Sequence, residues 1–141
     1  MENKFYTPKI DEFFVGFEYE HYLTPSEYID GTGWLRCIFP NDPFVGSGIL
    51  RMKSFENIRV KYLDKEDIES FGFKLKVENK YGITFANELY SIVYSKLKNN
   101  HVEVFLIQPY INESDGLKFS GIIKNKSELK KLLIQLEIIN E

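Results

Sequence analysis

Apolar and polar residues alternate with a period of two along much of this chain, the signature of strands that bury one face. Between Phe13 and Leu23, Phe13, Val15, Phe17 and Tyr19 fall on one side, and Glu18 and Glu20 fall with Gly16 on the other. A second short strand is predicted over Trp34 to Phe39; the prolines of the PNDP segment, Pro40 to Pro43, remove backbone donors and end it. Strands follow at Ile49–Lys53 and at 57–63, where Ile58, Val60 and Tyr62 oppose Arg59 and Lys61. After Gly72 the alternation resumes with Phe73, Leu75 and Val77 against Lys74, Lys76 and Glu78. The NKYG turn leads into a β-branched and aromatic stretch, 83–97, read as strand although ELYSIVYSKL also fits a helix. Two more strands are predicted at 102–108 and 117–123, separated by the polar NESDG loop.

Two segments break this alternation. DKEDIESFG, 64–72, begins with a capping Asp64, carries acids in its first turn where the helix dipole favours them, and ends at a glycine suited to a left-handed position. Near the C-terminus Leu129, Leu132, Leu133, Leu136 and Ile139 form one apolar stripe at helical spacing, with Ser127 as the expected cap. No repeat, low-complexity tract or linker divides the chain. The expected fold class is therefore α+β: one domain, 1–141, with a mainly antiparallel sheet, a short helix mid-chain and a C-terminal amphipathic helix packed on the sheet.

Composition narrows the setting. The chain has 141 residues, 43% hydrophobic and 16% aromatic, enough for one substantial core. The longest apolar run, 104–107, is far short of the roughly 20 residues that span a membrane, and no membrane association is expected. The first residues show no basic segment followed by an apolar one, so no signal peptide is expected. Cys37 is the single cysteine, which excludes an internal disulfide and fits a reducing, cytoplasmic location. Fifteen Lys against three Arg, fifteen Ile, ten Asn and one Ala follow the codon bias of an AT-rich genome, so the excess of Lys over Arg has no functional weight.

The net charge of −3 is unevenly distributed. Residues 1–30 are acidic, residues 31–100 mildly basic, and the total is far from the basic excess of a duplex-binding domain.

Glu18 and Glu20 lie two apart on one strand, about 7 Å from each other on the same face, a spacing open to paired acid–base work or a metal. His21 points to the opposite face and is a poor third ligand, and a solvated, acidic strand edge explains the pair better. Asp64, Glu66, Asp67 and Glu69 lack the spacing of a calcium loop and read as a capped first turn. Gly31-Thr32-Gly33 and Gly46-Ser47-Gly48 read as turns, since no helix with a following Gly-Lys-Ser/Thr motif adjoins them. Cys37 sits in an apolar strand and reads as an inert thiol. No catalytic residue, metal or cofactor is assigned, and an enzyme is not expected; a small carboxylate-dependent enzyme stands last among the alternatives.

Two binding readings remain. Arg51 and Lys53, Arg59 and Lys61, and Lys74 and Lys76 are strand-spaced basic pairs, which would add to one positive panel for RNA or single strands if their strands are neighbours, with aromatics for stacking. The preferred reading is a protein–protein interaction surface: the acidic face of Glu18 and Glu20, an edge open to strand addition, and the loop aromatics Phe39, Phe44 and Tyr110.

Three blocks, FYTPKIDEFFVGFEYE, IRVKYLDKEDIESFGFK and FSGIIKNKSELKKLLIQLEI, resemble a family of small proteins of phages, prophages and other mobile elements of Bacteroidota. The resemblance covers about half the chain, with the blocks in the same order, and carries no catalytic residues. It implies an accessory protein acting inside a bacterial host, with a host protein or ribonucleoprotein as partner. Inhibition of a defence system such as a CRISPR nuclease is the specific expectation from that context.

Overall fold

The computed structural model describes residues 4–22, 33–41, 58–107 and 116–140. Its architecture is α+β, with antiparallel strands in two sheets and two α-helices among the described residues. The chain forms two compact units, Met1–Tyr62 and Leu63–Glu141, each with its own core.

The N-terminal unit contains β1 (Phe5–Tyr6), β2 (Glu18–Tyr22), β3 (Trp34–Ile38) and β4 (Ile58–Lys61), in the order β1-β4-β2-β3. Alternation works as expected in β2 and β4: Tyr19 and His21, and Ile58 and Val60, are buried, and the residues between them are half-buried. The buried side joins Phe17, Tyr19, Cys37, Ile58 and Val60, with Tyr6, Phe13, Phe14, Leu35 and Phe39 packed against them. Phe13 touches the rings of Phe17, Tyr19 and Phe39 at centroid distances of 4.9, 5.3 and 5.6 Å.

Two expectations fail in this unit. The strand begins at Glu18 rather than Phe13, because the chain turns at 15–16: Gly16 adopts φ +97°, a conformation costly for other residues, and Val15 is left 80% exposed. Nor is the acidic strand an edge. β2 pairs with β3 on one side and β4 on the other, so its backbone is engaged on both sides.

The C-terminal unit begins with α1 (Lys65–Glu69), capped by Asp64, whose carboxylate accepts from the Asp67 backbone N–H at 2.9 Å while Asp67 reaches back to the Asp64 N–H. This reciprocal arrangement satisfies two donors that a helix start leaves free. Gly72, at φ +92°, turns the chain into a five-stranded antiparallel meander. Its strands are β5 (Lys74–Glu78), β6 (Gly82–Ala86), β7 (Tyr90–Ser95), β8 (His101–Leu106) and β9 (Leu117–Ile122), in sequence order. The 83–97 stretch is thus two strands, and the Asn87 side chain accepts the Leu89 and Tyr90 N–H groups in the turn between them.

Helix α2 (Lys126–Gln135) packs on this sheet. Leu129 and Leu133 are fully buried with Phe85, Ile92, Val102 and Val104, and Leu132, Leu136 and Ile139 flank them. The cap is Asn125, not Ser127. Asn125 Oδ1 accepts from the Glu128 N–H at 2.9 Å, and Glu128 Oε2 accepts from the Lys124 N–H at 2.8 Å. Ser127 is buried within the first turn.

Strand β5 departs from its alternation. All five of its residues are exposed, including Leu75 and Val77, because it lies at the sheet edge and its register against β6 shifts between those two residues. Its end is tied down by Glu78, which accepts hydrogen bonds from Lys65 at 2.7 Å and Lys96 at 2.9 Å. Those bonds, Lys65 first and then Lys96, hold the Glu78 carboxyl below its ordinary value.

Two outcomes follow for stability. Asn125→Ala should lower it by roughly 1 kcal/mol, read as a shift in the urea midpoint with an unchanged slope; no shift would remove Asn125 as the cap. A carboxyl whose folded value is depressed stabilises above its unfolded value and loses that contribution as pH falls through the folded one. The difference in urea midpoint between the wild type and Glu78→Gln should therefore be present at neutral pH and shrink in acid, and a pH-independent difference would contradict the pairing.

Candidate functional site

Residues directly opposite each other in an antiparallel pair share a face. Register therefore assembles the polar face of the N-terminal sheet. Phe5 is opposite Lys61, Glu20 is opposite Arg59 on one side and Arg36 on the other, Glu18 is opposite Ile38, and Tyr22 is opposite Trp34. The acidic pair and one of the basic pairs, treated as separate surfaces on sequence grounds, lie on the same face.

At its centre is Arg59. Its guanidinium carbon is 3.8 Å from the Phe5 ring centroid and 4.0 Å from that of Trp34. Phe5 comes from β1 and Trp34 reaches across β2 from β3, so the two rings approach from either side of β4. Arg59 Nη2 also pairs with Glu20 Oε2 at 3.3 Å. Both side chains are about 30% exposed, and the Arg59 Nε is buried without a hydrogen-bond acceptor among the described residues. A guanidinium suits this position because it is planar and weakly hydrated, so its flat faces can lie against rings while one edge meets a carboxylate.

Around this centre the face becomes more open. Arg36 pairs with Glu18 at 2.5 Å across the β2–β3 ladder, with 69% of the arginine side chain exposed. An ion pair this exposed adds little stability; it neutralises both charges where they stand. Tyr22 meets Trp34 edge-on at a centroid distance of 5.2 Å, and Tyr22 and Ile38 are both exposed. Gly33 is needed here: it has φ +82°, and a Cβ in its place would lie 2.9 Å from the Tyr22 ring.

The remaining sequence candidates are dispersed. Phe39 is half-buried against the N-terminal core. Lys74 and Lys76 lie on β5, in a different sheet from Arg59 and Lys61, so these pairs are not on neighbouring strands. Phe44, Tyr110, Arg51 and Lys53 lie outside the described residues. Cys37 is buried, and its thiol donates to the Leu35 carbonyl at 3.6 Å.

One cluster has no counterpart in the sequence reading. On the face of the C-terminal sheet opposite α2, His101 Nε2 lies 3.2 Å from the Ser120 hydroxyl and 3.5 Å from Glu103 Oε1. The His-x-Glu spacing puts the first two on one face of β8, and Ser120 arrives opposite Glu103 through the β8–β9 register. A serine relay needs the hydroxyl on one ring nitrogen and the carboxylate on the other. Here both meet Nε2, so this arrangement forms no such relay.

Among the described residues no three His, Cys, Asp or Glu side chains converge as metal ligands, and no helix is long and apolar enough to cross a membrane. No family model matches the chain, and neither does a curated protein or a solved structure.

The ring contacts make Arg59 and Trp34 energetically coupled. A double-mutant cycle of Arg59→Ala and Trp34→Ala, read by urea unfolding, should give a coupling of about 1 kcal/mol. A coupling near zero would leave the two side chains merely adjacent.

Proposed function

We propose that this chain is a non-catalytic binding module that docks on a protein partner through the polar face of its N-terminal sheet. The observation that carries this reading is the assembled group of Tyr22, Trp34, Phe5, Arg36 and Arg59. Trp, Tyr and Arg supply most of the binding energy in protein interfaces. Side chains already held by ring contacts and ion pairs lose little freedom on binding.

Charge favours a protein over a nucleic acid. Glu18 and Glu20 answer Arg36 and Arg59 on the same face, so a phosphate backbone meets little uncompensated positive charge there. The resemblance of the three sequence blocks to proteins of Bacteroidota mobile elements directs the search for the partner to host proteins, defence nucleases among them. In this reading the chain acts by occupying a host factor.

The test compares the tagged wild type with a Tyr22→Ala, Arg36→Glu variant in affinity capture from a Bacteroidota lysate treated with nuclease. Both positions are exposed, so the variant should melt within a few degrees of the wild type. The expected result is a partner that survives nuclease and falls about tenfold or more in the variant. A partner retained equally by the variant would move the interface elsewhere, and one lost on nuclease treatment would favour RNA binding.

A further inference from the structure

An open strand edge presents unpaired N–H and C=O groups that another strand can join, so folded chains guard their edges. Among the described residues the sheet edges are β1 and β3 in one sheet and β5 and β9 in the other. β1 is only two residues long, β3 carries Arg36 and turns back on itself through the Ile38–Asn41 bridge, and β5 has its lysines and register shift. On β9 the guards stand only at the start, where Lys118 sits at a shift in register. From Phe119 to Ile122 the strand has no charge, no proline and an unbroken register against residues 101–104. Ile122 is 64% exposed.

The ladder shows which backbone groups this edge offers. Bonded and non-bonded residue pairs alternate along antiparallel strands. The Ile123 N–H donates to the Asn100 carbonyl at 2.8 Å, so Phe119, Gly121 and Ile123 direct their backbone groups toward β8. Ser120 and Ile122 direct theirs outward, and no described strand receives them. Gly121, between them, has no side chain, and a Cβ in its place would lie 2.9 Å from the Phe119 ring.

We propose that β9 pairs with β9 of a second copy of this chain, antiparallel about a two-fold axis through Gly121, joining the two meanders into one sheet. In this register Ser120 of each copy exchanges both N–H···O bonds with Ile122 of the other, and the exposed Ile122 side chain is covered. The two Gly121 residues meet as the non-bonded pair, whose Cα atoms approach to about 4.5 Å, where a missing side chain removes crowding. An axis through Ser120 would instead set Ile122 against Lys118, where the register shift interrupts the ladder. A foreign peptide added to an edge is selected through pockets for its alternate side chains. With Ser120 and Gly121 at its middle, β9 offers little for such selection, whereas the two-fold matches each outward donor with an acceptor. The pair is weak and reversible: one short strand contact buries far less than the roughly 1,200 Å² of a stable interface, and Lys118 comes opposite Lys124 of the second copy.

The test follows the full chain by sedimentation and amide hydrogen exchange as its concentration rises to about 1 mM. The expected result is a monomer–dimer equilibrium in which exchange at the Ser120 and Ile122 N–H groups slows as dimer forms, while Gly121 and Ile123, bonded to β8, are protected throughout. Ile122→Pro removes an outward donor that β8 does not use, so the variant should keep its fold and associate about tenfold or more weakly. A chain that stays monomeric over this range, a dimer that leaves exchange at Ser120 and Ile122 unchanged, or undiminished association of folded Ile122→Pro would overturn the pairing. Should that variant unfold, the exchange of the wild type decides by itself.

Discussion

Cross-strand register in the N-terminal sheet puts Glu20 opposite an arginine on each side, and the organisation of that face depends on this constraint. A strand that buries Tyr19 and His21 has to turn Glu18 and Glu20 the other way, because successive side chains alternate. Their neighbours on the same rule are Arg36 and Arg59. Carboxylates that stood as an acidic patch in the linear sequence become counter-ions for arginines 18 and 39 residues away. Phe5 and Trp34 then close on Arg59 from opposite sides of its strand, so one guanidinium links residues from all four strands.

Chemically, this gives a face that is polar in composition and nearly neutral in charge. Long-range attraction of a polyanion needs an excess of positive charge, and salt screens whatever excess there is. Recognition by a protein needs rigid aromatic area and polar groups held in place, which this face has. The C-terminal unit solves a different problem. Its meander runs in sequence order and is covered on one face by α2, which leaves two edges to protect. On β5 the register shift and the exposed lysines Lys74 and Lys76 discourage pairing with another chain.

Much of this was legible in the sequence, and the failures have physical causes. Alternation identified β2 and β4, and the leucine stripe identified α2, because burial on one face imposes those periods directly. Val15 was misplaced because a turn at Gly16 ended the strand pattern early. Leu75 and Val77 alternate like buried residues, but position at an edge and a register shift are tertiary facts. Ser127 has the residue type of a cap, but the helix starts two residues earlier, where Asn125 accepts the Glu128 N–H and the Glu128 carboxylate turns back to the Lys124 N–H. The acidic and basic pairs were read as competing surfaces because their union depends on pairing between strands up to 39 residues apart. Ser120 had no local signal, since only the β8–β9 register brings it to His101. The boundary between the two compact units falls after Tyr62 with no glycine- or proline-rich linker to mark it.

The most direct measurement is a nitrogen–proton spectrum of the arginine Nε groups, recorded across a range of salt concentrations. The chain has three arginines, Arg36, Arg51 and Arg59, so assignment by substitution is simple. With Phe5 and Trp34 close over its guanidinium, the Arg59 Nε–H should be shifted upfield by the two rings, exchange slowly with water and hold its position as salt rises. An Arg59 signal at the ordinary position of a solvated arginine, moving with salt, would contradict the preassembled face and the docking role built on it.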